Sequence, residues 1–145
     1  MSEQNVNPEI RGKLVNSWEV KPFVCSDDYS SKMLLDDVVA GGKSIHINEG
    51  TFKPGTNSLP GGAHEATEIY YIVKGEAVLT LGDEKFDVKP GSVAYIPAGC
   101  LHAVENKSAT EDFVLLTIWE DTKYNGVYHE RVKVWGKSFK TIYED

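Results

Sequence analysis

From Lys43 onward the chain alternates short strand-like stretches with turn residues every 8 to 12 positions. That rhythm points to an all-β sandwich or barrel. Residues 44–52 read as one strand, stopped by Lys53-Pro54-Gly55. Residues 68–73 are β-branched and aromatic, and Lys74-Gly75 closes them. Residues 77–81 and 85–88 flank a Gly82-Asp83 turn, as in a hairpin. Lys89-Pro90-Gly91-Ser92 leads into residues 93–96, which end at Pro97-Ala98-Gly99. Residues 101–105 and 113–119 complete the series, and the block occurs once. No apolar repeat of helical period persists for three turns anywhere.

The ends differ from this block. Residues 1–36 read as a polar N-terminal arm with short apolar patches. Within it, Leu14-Val15 and Pro22-Phe23-Val24 each suit an edge strand or a cover over a neighbour. Asp27-Asp28-Tyr29-Ser30-Ser31 reads as a loop. Residues 37–120 form the expected barrel. Residues 121–145 carry Tyr124, Tyr128, Trp135, Phe139 and Tyr143. They are too apolar for a free tail and are expected to pack on the barrel or on a partner subunit. A chain of 145 residues can bury a core without disulfides or a structural metal. Cys25 and Cys100 have no metal-type spacing.

Charge narrows the partners. The net charge is −7 and the sequence pI about 5.1, which weighs against nucleic acid and anionic membrane. The two arginines, Arg11 and Arg131, lie near the ends. A polyanionic substrate usually recruits bidentate Arg clamps, so a small ligand of low charge is expected. No apolar run reaches the roughly 18 residues of a membrane span. The start, Met1-Ser2-Glu3-Gln4-Asn5, lacks the basic and apolar regions of a signal peptide. A cytoplasmic location is the expectation.

Two spaced patterns carry the chemistry. One is Gly91-x5-Pro97-x-Gly99-x2-His102-x3-Asn106; the other, upstream, is His64-x3-Glu68-x6-Gly75. The first resembles the second conserved motif of the cupin superfamily at all five defining positions. The upstream pattern resembles the latter half of the first cupin motif. The resemblance covers residues 43–119 and implies a small double-stranded β-helix jelly roll with its site inside the barrel. It also implies that His64, Glu68 and His102 meet there as metal ligands. Two imidazoles and one carboxylate suit one divalent transition metal ion such as Fe, Mn, Ni, Zn or Co. Strand alternation puts Glu68, Tyr70 and Ile72 on one face and Tyr71 and Val73 on the other. Some cupin lyases resemble this Glu-x-Tyr arrangement and use the tyrosine as a base, which makes Tyr70 the candidate catalytic residue.

One departure from the family stands out. The first histidine of the usual His-x-His falls on Gly62, and Gly55 lies one residue further from His64 than usual. The expectation is a retained 2-His-1-carboxylate site with extra open positions; the alternative is weakened or lost metal binding. His46, between Ile45 and Ile47, is assigned to the surface, although a cavity-facing His46 would substitute for the missing ligand. Cys100 is read as a buried, inert thiol. Glu65 is expected at the surface and His129 as structural or exposed.

The leading functional reading is a metal-dependent enzyme acting on a small polar metabolite. The metal would polarise a substrate oxygen and a nearby base would move a proton, which is isomerase or lyase chemistry. The alternatives are a non-haem Fe(II) oxygenase and a non-catalytic small-ligand-binding cupin. A homodimer is expected, with segments near residues 14–24 or 124–143 crossing to the partner.

Overall fold

The computed structural model describes residues 7–9, 11–24, 26–36, 45–57 and 66–120. Nine strands follow the turns of the sequence. They are β1 (Phe23–Val24), β2 (Tyr29–Leu35), β3 (Ile45–Phe52), β4 (Glu68–Lys74), β5 (Ala77–Leu81), β6 (Glu84–Val88), β7 (Val93–Ile96), β8 (His102–Glu105) and β9 (Phe113–Glu120). The helical content among the described residues is one 3₁₀ turn, Ser17–Glu19. No helix there is long and apolar enough to cross a membrane.

The strands form two antiparallel sheets, β1-β2-β3-β9-β4-β7 and β6-β5-β8. Neighbours such as β3-β9 and β9-β4 are distant in sequence, which is the crossover pattern of a jelly roll. The chain is all-β, as expected. Residues 23–35 of the N-terminal arm add β1 and β2 to the larger sheet, with Phe23–Val24 on its edge. Tyr29 to Ser31, read as loop, are strand instead. Tyr29 pairs with Phe52, and their rings lie 4.7 Å apart. That tertiary pairing outweighs the loop-like composition. The C-terminal extension, 121–145, lies outside the described residues.

Register shows what faces the interior. Directly paired residues in an antiparallel sheet project to the same side. Across β3, β9, β4 and β7 this gives the row His46, Trp119, Glu68, Ile96, and below it Asn48, Thr117, Tyr70, Ala94. Further down come Gly50, Leu115 and Ile72, then Phe52 and Phe113. From the opposite sheet Leu79 and Val104 face the same core. The barrel interior therefore changes along its length. One end is closed by Phe52, Ile72, Leu79, Val104, Phe113 and Leu115. The other presents imidazole, carboxylate, phenol, amide and hydroxyl groups.

His46 is a correction: it is fully buried, not at the surface. Ile45 is half exposed and Ile47 shares its outward side. The outer surface of the larger sheet accounts for this inversion. Ile47, Ile118, Ile69 and Tyr95 form one outward row, with Leu116, Tyr71 and Val93 beside it. Apolar residues lie outside and polar ones inside, so the usual apolar-inward rule fails on β3.

Two motif residues act through the backbone. Gly75 has φ +80°, and a Cβ there would overlap the Asp112 carbonyl oxygen, so only glycine fits where β4 turns into β5. Asn106 is buried, and its amide nitrogen faces the carbonyls of Phe52, Lys53 and Glu111 at 3.2, 3.1 and 2.9 Å. Its amide oxygen accepts from the Ser108 N–H at 3.1 Å. Asn106 thereby ties the ends of β3, β8 and β9 at the apolar end.

Candidate functional site at the polar end of the barrel

The turn before β8 sets the position of His102. Gly99 takes φ +83°, and the Cys100 N–H closes on the Pro97 carbonyl at 3.0 Å. This bend leaves the Cys100 carbonyl 2.9 Å from His102 Nδ1. A carbonyl only accepts, so Nδ1 donates to it, and in the neutral ring Nε2 keeps its lone pair. Metal-binding histidines commonly have this arrangement. The Cys100 thiol is half-buried rather than enclosed, and among the described residues it bonds the neighbouring Leu101 carbonyl, at 3.5 Å.

Glu68 opens β4, and its Oε2 lies 3.7 Å from His102 Nε2. One divalent ion with bonds of about 2.0–2.2 Å to each donor can span that separation. The pair therefore fits a metal by tautomer and by spacing. Among the described residues no cluster of three or more His, Cys, Asp or Glu stands close enough to hold an ion. The third expected donor, His64, lies outside the described residues, as do Gly62, Glu65 and His129.

Tyr70 is inward and buried two residues along β4 from Glu68. Its ring meets His102 edge-on, with centroids 5.7 Å apart. Burial raises its pKa far above the ordinary phenol value, and the charge of Glu68, Tyr29 and a hydrogen bond to Glu68 push the same way. Without a cation the phenol is thus held protonated, as a donor toward Glu68.

Of the residues singled out in the sequence, Glu68, Tyr70 and His102 lie side by side at this end of the barrel. The sequence reading assigned His46 to the surface and missed Asn48, Thr117 and Trp119; these four line the same end, and His46 and Asn48 come first along the chain. The signal for the first two was present: counting back in twos from the core residue Phe52 passes Gly50, Asn48 and His46. Ser31 donates to the Asn48 side chain from β2. A separate cleft, lined by Glu76, Asp87, Lys89 and Lys107 among others, sits at the other end of β5 and β6 and contains none of these residues.

Comparison with known proteins agrees with this fold. Residues 48–119 match the cupin domain family. An uncharacterised protein of Methanocaldococcus jannaschii is 33% identical over 88 residues, which cover 61% of this chain and 70% of that protein. The structure of KdgF from Halomonas sp. superposes with a TM-score of 0.66 at 18% identity, covering 76% of this chain and 94% of that one. The polyketide cyclase RemF from Streptomyces resistomycificus gives 0.67 at 22% identity, covering 74% and 78%. With its described motif residues at the turns and in the barrel where this fold needs them, the chain belongs to the cupin superfamily.

Proposed function

We propose that this protein is a metal-dependent cupin enzyme that moves a proton on a small polar metabolite, in isomerase or lyase chemistry. The observation that carries the reading is Tyr70, a buried phenol two residues along β4 from Glu68 and edge-on to His102. Glu68, His102 and His64 would hold one divalent ion. When bound, that ion supplies Lewis-acid polarisation of a substrate oxygen.

The residues of the chain do the rest. Cys100 fixes the His102 ring through Nδ1, so its orientation precedes ligand binding. The apolar end of the barrel excludes water from below and leaves one polar end for the metabolite. Tyr70 is the proton-transfer group. Its raised pKa makes it a donor at neutral pH; neutralising the Glu68 charge would remove a secondary cause of that shift, while burial, the largest, remains. Among cupins of known structure, the polyketide cyclase RemF shares this fold; its likeness concerns the scaffold alone.

A metabolite panel read by thermal shift, followed by assay of each stabilising compound, identifies the substrate. Tyr70→Phe should then keep fold and metal but lose turnover by about 10²–10⁴-fold, the contribution of a positioned acid or base. Full activity of the variant would remove the phenol from the reaction.

A further inference from the structure

The inward row that holds Glu68 runs His46, Trp119, Glu68 across β3, β9 and β4. Directly paired β-carbons stand about 4.5–5.5 Å apart, so the Trp119 indole has a close neighbour on either side. Its β3 side is filled. The His46 ring stacks there, with centroids 5.2 Å apart and planes inclined by 21°. Both His46 nitrogens are enclosed and meet no hydrogen-bond partner, so what His46 presents to this end of the barrel is its ring face. The other indole face turns toward β4, where Glu68 stands. Trp119 is half-buried rather than enclosed, and among the described residues its ring meets no aromatic neighbour other than His46. The facing sheet contributes Leu81, which pairs with His102 and packs against the core. Glu68, Tyr70 and His102 are thus flanked by a flat aromatic wall, braced from behind, and by an aliphatic side chain.

We propose that Trp119 selects the substrate: a flat, conjugated ring with neighbouring hydroxyl and carbonyl oxygens, stacked on the indole with its oxygens at Glu68, Tyr70 and His102. Flat rings pack on an aromatic face over their whole area, whereas a puckered ring touches it only in part. A hydroxyl beside a carbonyl offers one oxygen to polarise and one proton for Tyr70 to move. The two polar inward rows hold no Lys or Arg, which favours a neutral or singly charged ring. A cationic ligand, which an indole also attracts, does not suit a place beside a divalent ion. His46 is a positioning residue in this arrangement, because its stack keeps the indole from swinging away from Glu68. The inference deepens the proposed function and rests on Glu68, Tyr70 and His102 receiving substrate oxygens.

The test compares tropolone with 2-hydroxycycloheptanone, which share ring size and donor oxygens but are flat and puckered respectively. Zinc-loaded protein is titrated by calorimetry and NMR, with the zinc content of every variant checked by elemental analysis. The wild type should prefer tropolone, and Trp119→Leu should shrink that preference by roughly three- to tenfold, the worth of one aromatic stack. The ion's own preference for the more acidic tropolone is common to all variants and cancels in the comparison. Trp119→Phe, with a smaller ring, should keep part of the preference. His46→Ala should lose it as well, and His46→Phe, which restores a ring behind the indole, should recover it. In the wild type the Trp119 ring protons should move upfield saturably with tropolone. An undiminished preference in Trp119→Leu, or tropolone bound without a shift of the Trp119 protons, overturns the proposal. If the His102 imidazole signals respond to tropolone in that case, the polar end remains a ligand site and only the selection by Trp119 falls. No binding of either compound would overturn the selection together with the reading beneath it.

Discussion

At the scale of single residues, Tyr70 and His102 are set by neighbours that differ in kind. His102 is oriented by a backbone carbonyl, which does not titrate. Tyr70 is governed by burial and by the Glu68 charge, which together raise its pKa. A group whose folded pKa lies above its unfolded value adds stability that is complete below the unfolded pKa and fades as pH rises beyond it. For Tyr70 that threshold is the ordinary phenol value of about 10. Above it the unfolded chain releases a proton that the folded chain keeps. The stability of the wild type relative to Tyr70→Phe should therefore be constant below about pH 10 and fall by roughly 1.4 kcal/mol per unit above it. Urea unfolding of both proteins from pH 7 to 11 checks this. Parallel profiles would mean that Tyr70 ionises as freely in the folded protein as in the unfolded one.

At the scale of elements, the turns were readable and one strand face was not. Gly75, Gly91 and Gly99 adopt positive φ where the sequence broke its strands, because few other residues tolerate that backbone. Glu68 and Tyr70 came out on the correct face because Ile72, beyond them, is a true core residue. On β3 the same logic failed. Ile45 and Ile47 are apolar but face outward, and the buried face is His46, Asn48, Gly50 and Phe52. Polarity reports burial only where the interior is apolar, and this end of the barrel is not. Tyr29 to Ser31 escaped notice for another reason: their strand exists only through pairing with β3. The motif residue Asn106 is an element-level tie, and its removal should show in stability. Asn106→Ala leaves three carbonyls without their donor and should cost about 2–4 kcal/mol. Asn106→Asp should cost more, since it turns an acceptor toward those carbonyls. Equilibrium denaturation of the two variants, with Asp no worse than Ala, would show that the hydrogen bonds are not what holds the three strands together.

At the scale of the whole molecule, the apolar outer face of the larger sheet and the polar end of the barrel are two sides of one inversion. Val93 and Tyr95 are 67% and 66% exposed, beside Ile69 and Tyr71, and Leu14 and Trp18 of the N-terminal arm are exposed as well. A contiguous apolar patch of this kind commonly meets a partner. A homodimer built on it would have twice the 16.1 kDa chain mass. Light scattering of the wild type should give that doubled mass at micromolar concentration, and Val93→Lys with Tyr95→Lys should return the monomer. A wild type of single-chain mass would leave this face without the partner assigned to it. The central claim concerns the other side of the sheet: that Glu68 and His102, with His64, form a metal centre. Its most direct test is elemental analysis of the chain after loading with a divalent transition metal and exhaustive dialysis. The wild type should retain one ion per chain, and the variant with alanine at His64, Glu68 and His102 should retain almost none. A triple variant holding as much metal as the wild type would contradict the account.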